Sequence, residues 1–409
     1  MPRPGLGALR EREFRLLFLA TATTRLGSAM APIALAFGVL ELTGSVTDLG
    51  FVLAAGSLPF VALVLVGGVW ADRMSRLRLM AVSGSVATAT QGAMGFAFLS
   101  GKARVWELVV LAAIQGTARA FGSPAMGALI PETISPSRLQ QATALLYVSS
   151  SSIDIGGAAV GGVFVAVIGP GWTMLFNAAT SLAEVAIRFL MRVDEVLPAP
   201  ERRRPFRRDF TDGWRAVTSR RWLLVMLAGA AGFVLAVVAP WDVLGPALAK
   251  DSLGGPRAWG FIESAYSLGA LGGGALVLRL RVSRPLLVAT ALNLLYIPAL
   301  VAFAVVSPLI VIAVAAFIGG AANDASLVLF DTTIQRLVPR DLLARVISFD
   351  WFSDAATKPI GMAAVGPLAA RVGISTVFWA AAIGAVAVTV LMLGIREVRT
   401  TRSDPQASA

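Results

Sequence analysis

Neither cysteine nor histidine occurs among the 409 residues. The first absence excludes disulfides, thiolate metal sites, iron–sulfur ligation and a lipoprotein anchor, and the second removes the commonest metal ligand and the usual proton shuttle. Any proton handling therefore falls to carboxylates. No phosphate-cradling glycine loop ending in Lys-Ser/Thr and no His-Glu-x-x-His helix is present, so ATP hydrolysis and zinc chemistry by this chain are excluded, and neither a cofactor nor enzymatic activity is expected. Charge is scarce too. Only 14% of residues are ionisable Asp, Glu, Lys or Arg, against about 25% in an ordinary soluble domain.

What the chain has instead is apolar length: 56% hydrophobic residues and a mean hydropathy of +0.76. At about 20 apolar residues per span there is room for roughly 12 spans. Apolar stretches bounded by charge or Pro/Gly clusters predict helices over 16–40, 49–71, 79–99, 108–130, 139–168 and 172–191, then over 222–244, 258–278, 286–306, 309–329, 342–370 and 375–395. The expected organisation is an N-terminal six-helix half (1–191), a basic linker (192–221), a C-terminal six-helix half (222–396) and a short tail (397–409). The linker holds nine arginines and three prolines, Pro198, Pro200 and Pro205, with one interfacial helix expected around 210–217. The first apolar run is about 25 residues long and lacks a small-residue cleavage site, so it reads as an uncleaved span.

Lysine and arginine number 35 against 24 acidic residues, a net charge of +11. Their distribution decides what that excess means. The predicted connections on the N-terminal side of the bilayer hold 26 of them and the opposite side five. By the positive-inside rule both termini are expected in the cytoplasm, the bilayer being the cytoplasmic membrane of a bacterium. A basic surface for nucleic acid is the losing reading.

The halves resemble each other. Aligning Pro136 with Pro339 superposes SPSRLQQATAL on VPRDLLARVIS, and the same offset places Arg76 and Arg78 on Arg279 and Arg281. Parallel repeats of this kind are related by an axis along the membrane normal.

Between the second and third helices stands Gly68-Val-Trp-Ala-Asp72-Arg73-Met-Ser75-Arg76-Leu-Arg78. A short inner loop needs glycine where helices approach, a carboxylate able to face a helix N-terminus, and arginines for phosphates or carboxylate partners. Here the chain resembles the major facilitator superfamily, whose loop signature is G-x-x-x-D-R-x-[GS]-R-[RK]. Gly68, Asp72, Arg73, Ser75 and Arg76 match, while the last basic residue is displaced from Leu77 to Arg78. The second half keeps Gly272–Gly274, Arg279 and Arg281 but lacks the Asp. Over residues 8–396 the resemblance is to bacterial proton-coupled exporters of drugs and siderophores, the enterobactin exporter group among them. It rests on Gly116-Thr-Ala-Arg119-Ala-Phe-Gly-Ser-Pro124, Ile130-Pro131-Glu132, and a proline-less antiporter motif, Gly157-Ala158-Ala-Val-Gly161-Gly162.

The resemblance implies an all-α polytopic fold of 12 transmembrane helices, working as a monomer in the lipid bilayer. It implies alternating access, with proton-coupled efflux of a drug-like or siderophore-like small molecule. It also gives Asp72 a gating use, facing the start of the eleventh helix near residues 339–343 in one state, with Arg76 bonded to Glu132. Import or uniport on the same fold stays open. A sensor or scaffold that transports nothing would not need the polar stripes that run through several spans.

Those stripes carry the candidate substrate and proton-coupling residues. An ionisable side chain in a span costs about 2.5–3.5 kcal/mol on insertion scales, so each needs a partner, a water-filled cavity or a use. In the first helix Thr21, Thr24, Arg25 and Ser28 share one face, and in the fifth Thr143, Tyr147, Ser150, Ser151 and Asp154 do the same. Desolvation favours the neutral form of a carboxyl group, which suits Asp154 to a proton cycle; a permanent pair with Arg25 or Arg119 is the other reading, and both are open. Gln115 and Arg119 share a face of helix four, and Asn323 and Asp324 lie near the equivalent site of helix ten. The resemblance aims Arg119 and Asp324 at the substrate path. Asp350, Asp354 and Lys358 recur at i, i+4, i+8 in helix eleven, where Asp354–Lys358 is expected as an ion pair, as is Glu184–Arg188 in helix six. Asp242 and Glu263 are expected near the outer ends of helices seven and eight.

Overall fold

The computed structural model describes residues 7–71, 74–193, 211, 214–277, 279–280 and 282–402; within these, the side chains of 65–66, 68–69, 71, 128, 340–341, 344, 351 and 354 are not described. Among the described residues there are no strands. Twelve long helices are present: α1 (Arg12–Thr43), α2 (Val46–Ala71), α3 (Arg76–Ser100), α4 (Val105–Leu129), α5 (139–168), α6 (170–189), α7 (Arg221–Leu253), α8 (Pro256–Val277), α9 (Pro285–Ala304), α10 (Leu309–Leu337), α11 (Arg340–Val372) and α12 (Ile374–Gly394).

By length and composition α1, α2, the α5–α6 run, α7, α9, α10 and α12 qualify as membrane-crossing. The other four are long enough but diluted by polar residues: Ser83, Ser85, Thr88, Thr90 and Gln91 in α3, Gln115 and Arg119 in α4, Arg257, Glu263, Ser264 and Ser267 in α8, and the charged stripe of α11. Buried glycine, serine and threonine are what close helix packing in a bilayer uses, because lipid tails supply no hydrophobic drive between helices.

Local sequence explains the breaks. Helices α5 and α6 meet with no loop: Gly169 alone leaves the helical region (φ 85°, ψ 165°), and Pro170, which lacks the N–H that α6 does not need, starts the return. Helix α7 carries two π-helical turns, Val234–Val238 and Ala249–Leu253, on either side of Pro240 and Pro246. A proline clashes with the carbonyl four residues back, and a widened turn relieves that clash. In α9 the turn before Pro298 tightens to a 3-10 form over Asn293–Tyr296. Helix α10 runs two turns beyond the predicted end at Leu329, closing at Val338 before Pro339. The expected linker helix is present over 214–218, and residue 210 lies outside the described residues.

The chain divides into two units. One holds residues 1–200 with 254–264, the other 201–253 with 265–409. In the first, α1 packs on α5, α2 on α4, and α3 on α4 and the α5–α6 run. Gly157 and Gly161, four apart, face α1 at Ala29 and Met30, while Ala158 and Gly162 face the start of α8, where the Ser264 hydroxyl donates to the Ile155 carbonyl at 2.7 Å. In the second unit α9 packs on α10 and α12, and α7 on α11 and α12.

The units share an internal device. A side chain at Gly116 of α4 would lie 2.1 Å from the Gly56 carbonyl of α2, and one at Gly320 of α10 would lie 2.0 Å from the Tyr266 carbonyl of α8. Only glycine permits such approach. Arg119 follows Gly116 by three residues, and Asn323 follows Gly320 by three.

Candidate substrate and proton-coupling site

In the first unit the glycine contact between α1 and α5 brings together one turn further in the two charges that their stripes carry. Arg25 Nε donates to Asp154 Oδ1 at 2.9 Å and Nη2 to Oδ2 at 2.6 Å, a bidentate fork. The pair is not sealed: its side chains are 47% and 37% exposed. The neighbouring residue of α1, Thr24, hydrogen-bonds Glu184 of α6, which is ion-paired with Arg188 one turn on. Two successive residues of α1 thus touch two ion pairs, one half-exposed and one buried. The seam beside the buried pair is polar throughout. Ser181 donates to Gln91 at 3.0 Å, and Thr21 Oγ1 and both amide atoms of Asn177 are buried without a partner.

Arg119 has a different setting. Its guanidinium carbon lies 5.4 Å from the centre of the Phe60 ring of α2. It is exposed, and it pairs with no carboxylate among the described residues.

Arg76, which opens α3, is ion-paired with Glu132 in the turn that follows α4; both side chains are nearly buried, at 10% and 15% exposed. Gly68 lies within α2, and Asp72 and Arg73 fall outside the described residues. Beyond the spans, Glu11 accepts from Ser135 Oγ (2.7 Å), Ser135 N (2.9 Å) and Arg138 Nη1 (3.2 Å). The Ser135 hydroxyl foremost, then its amide and Arg138, hold the Glu11 carboxyl below its ordinary range, against a smaller opposing effect of desolvation.

In the second unit Lys358 reaches a carboxylate on another helix. Its ammonium is 2.9 Å from Asp242 Oδ2 on α7, so the bond joins two helices where the i, i+4 spacing points along one; the side chain of Asp354 is not described. Asp324 has no cation partner among the described residues, and its hydrogen bond is a long one, from Asn323 Nδ2 at 3.4 Å. Gly274 leaves room beside its Oδ2. The Tyr296 hydroxyl, 3.0 Å from the Tyr266 hydroxyl, lies within electrostatic reach of it. Trp241 packs on Tyr266 and on Phe303. Glu263 and Asp350 are partly buried and each has an interaction partner. An apolar groove of about 640 Å³ at the α5–α6 turn, lined by Phe164, Trp172 and Phe176, holds none of these ionisable groups.

A family profile described as transmembrane secretion effector matches residues 4–409. The chain belongs to that family, within the major facilitator superfamily. Multidrug efflux pump Tap of Mycolicibacterium fortuitum is 26% identical over 93% of this chain and 93% of its own, and Tap of Mycobacterium tuberculosis is 26% identical over 96% and 95%. Among solved structures, the nucleoside transporter NupG aligns over 94% of this chain and 98% of its own with a TM-score of 0.73 at 12% identity. A bacterial homologue of the iron transporter ferroportin aligns over 94% and 98% with a TM-score of 0.75 at 16% identity. These likenesses establish the major facilitator fold, and the chain is a multi-pass membrane transporter and not an enzyme.

Neither Phe60 under Arg119 nor Asn177 in the α1–α6 seam carries a sequence signal, since an apolar residue and an amide in a span are ordinary occurrences. From sequence Tyr266 and Tyr296 read as aromatic surface for a substrate or as anchors, and their bond to each other carries no sequence signal.

Proposed function

We infer that this transporter exports a small drug-like molecule across the bacterial cytoplasmic membrane by alternating access, with protons moving the other way. Twelve spans, cytoplasmic termini and a monomeric state belong to the same reading. Export draws its support from the relatives that are multidrug efflux pumps, and orientation from the 26 to five distribution of basic residues.

The observation that carries proton coupling is the difference between the carboxylates. Asp154 is locked in a fork with Arg25 and Asp242 is tied to Lys358, whereas among the described residues Asp324 has only an amide. A carboxylate held by a cation cannot take up a proton without breaking that bond, while one without a cation exchanges its proton unhindered. Asp324 is therefore the proton carrier in this reading. Arg25 and Asp154 serve as a paired polar element of the translocation path.

The test compares accumulation of candidate drugs in cells with and without the protein, each with and without a proton uncoupler. Uncoupler-sensitive exclusion that Asp324→Asn abolishes, with downhill exchange retained, supports the assignment. Uncoupler-sensitive accumulation inside the cell reverses the direction to import. Full uphill transport by Asp324→Asn removes that residue from the proton's route, and Glu263, Asp350 and Asp354 then become the carboxylates to test.

A further inference from the structure

We propose that Arg119, laid on the Phe60 ring, is the anchor for a carboxylate on the transported compound; this rests on the transporter reading above. The first observation is a charge balance within the helices of the first unit. Arg25 is matched by Asp154 and Arg188 by Glu184, which leaves Arg119 with no carboxylate among the described residues. Its recorded contact is the ring of Phe60, which attracts a cation through its face but accepts no N–H hydrogen bond of ordinary strength. Five N–H donors in a planar fork thus have no carboxylate to donate to among the described residues.

The second observation is the face of α4 on which Arg119 lies. Gly116 meets α2 at Gly56, and Gly122 meets α3 at Ser83. Two faces of α4 remain uncovered between these contacts. One is apolar, with Val110 and Ile114 exposed. The other, at i, i+4, i+8, is Gln115, Arg119 and Ser123, with Arg119 and Ser123 exposed. A guanidinium, a hydroxyl and an amide in one row along a membrane-spanning helix are a surface for water and solute, while the apolar face suits lipid.

A ring that fixes the plane of a guanidinium and leaves its edge free presents a two-point site matched to a planar oxyanion. Gln115, one turn away, offers both a donor and an acceptor for a polar group beside that carboxylate. The occupant is thus an amphipathic acid or a zwitterion. Phe60 positions the guanidinium and makes no bond to the ligand itself.

The probes are two matched dye pairs, fluorescein with its methyl ester and a rhodamine free acid with its methyl ester. Uncoupler-sensitive export is measured in cells, and thermal stabilisation is measured with the purified full chain in detergent and again in vesicles of phosphatidylcholine alone. Wild type is expected to bind the acids more tightly than the esters. Arg119→Gln should weaken acid binding about tenfold or more with the esters unaffected, Arg119→Lys should recover part of it, and Phe60→Leu should give a smaller loss confined to the acids. Persistence of the acid preference in phosphatidylcholine vesicles excludes an acidic lipid headgroup as its source; its disappearance there overturns the proposal in favour of lipid. Preference for the esters, or equal loss of acid and ester in Arg119→Gln, also overturns it. Stabilisation by acids that depends on Arg119, without export of either pair, contradicts the transport reading and leaves the anchor standing.

Discussion

Arg25 and Asp154 stand 129 residues apart in sequence and meet through two parallel hydrogen bonds of 2.9 and 2.6 Å. The meeting is arranged by glycine rather than by the charges. Gly157 and Gly161 let the backbone of α5 close on Ala29 and Met30 of α1, and the fork forms one turn further in. Neutralising one member leaves the other as a lone charge in a span. Asp154→Asn and Arg25→Gln should each destabilise the protein by about 1–3 kcal/mol, less than a fully buried pair because water reaches this one. The exchanged pair, Arg25→Asp with Asp154→Arg, should recover most of the loss. Thermal unfolding of the four proteins in detergent gives the coupling, and a value near zero would mean that the two side chains merely lie close.

Lys358 offers the same kind of cycle in the other unit. If the bond to Asp242 is what holds α7 against α11, Lys358→Met and Asp242→Asn should each reduce folded yield, and the double variant should do better than either single one, since no charge is then stranded. Equal or additive losses would detach the two residues from each other.

How much of this is legible in sequence follows from what periodicity can express. A 3.6-residue repeat shows which face of one helix is polar, so Arg25, Asp154 and Arg119 stand out as residues with a purpose. It carries no information about which stripe meets which. The bond of Lys358 to Asp242 joins two helices and so lies outside what such a repeat can express. Helix ends were legible wherever a glycine or proline fixes the turn, as at Gly169-Pro170, and were placed two turns short where α10 runs on past Leu329 into more polar sequence. Asp324 stands out by its depth and by its place in helix ten near the equivalent of Arg119; that it has no cation partner among the described residues, unlike Asp154 and Asp242, is a fact of tertiary packing.

Topology is open to direct measurement. Reporter fusions at positions 200 and 400 should report the cytoplasm, and fusions at 103 and 254 the outside, in line with the 26 to five asymmetry of basic residues. A fusion at 200 that reports the outside would overturn the six-plus-six reading.

Glu11 makes part of the stability pH-dependent. Its carboxyl is held below the ordinary range by Ser135 and Arg138, so the folded state favours the charged form. That contribution is present in full above the ordinary carboxylate range and is lost as the pH falls through the depressed value. Being partly exposed, it is worth about 1 kcal/mol. Thermal unfolding between about pH 6 and about pH 3 should show wild type losing its advantage over Glu11→Gln. Parallel curves for the two would show that the Ser135 bonds add nothing.

Arg76 and Glu132 join the start of α3 to the turn after α4, immediately beside the loop that carries Asp72. Both side chains are nearly buried, so the bond is shielded from water. Its place beside that loop suits an element that changes partners during turnover. Glu132→Gln keeps the shape and removes the charge. It should slow transport of every compound by the same factor and leave their order unchanged, and Arg76→Lys should fail to replace the planar fork. The competing view is a purely architectural bond, under which activity would fall only as far as folded protein does. Transport rates normalised to the amount of folded protein, taken over several compounds, separate the two: a uniform reduction that survives normalisation assigns the pair to turnover, and its disappearance assigns it to the fold.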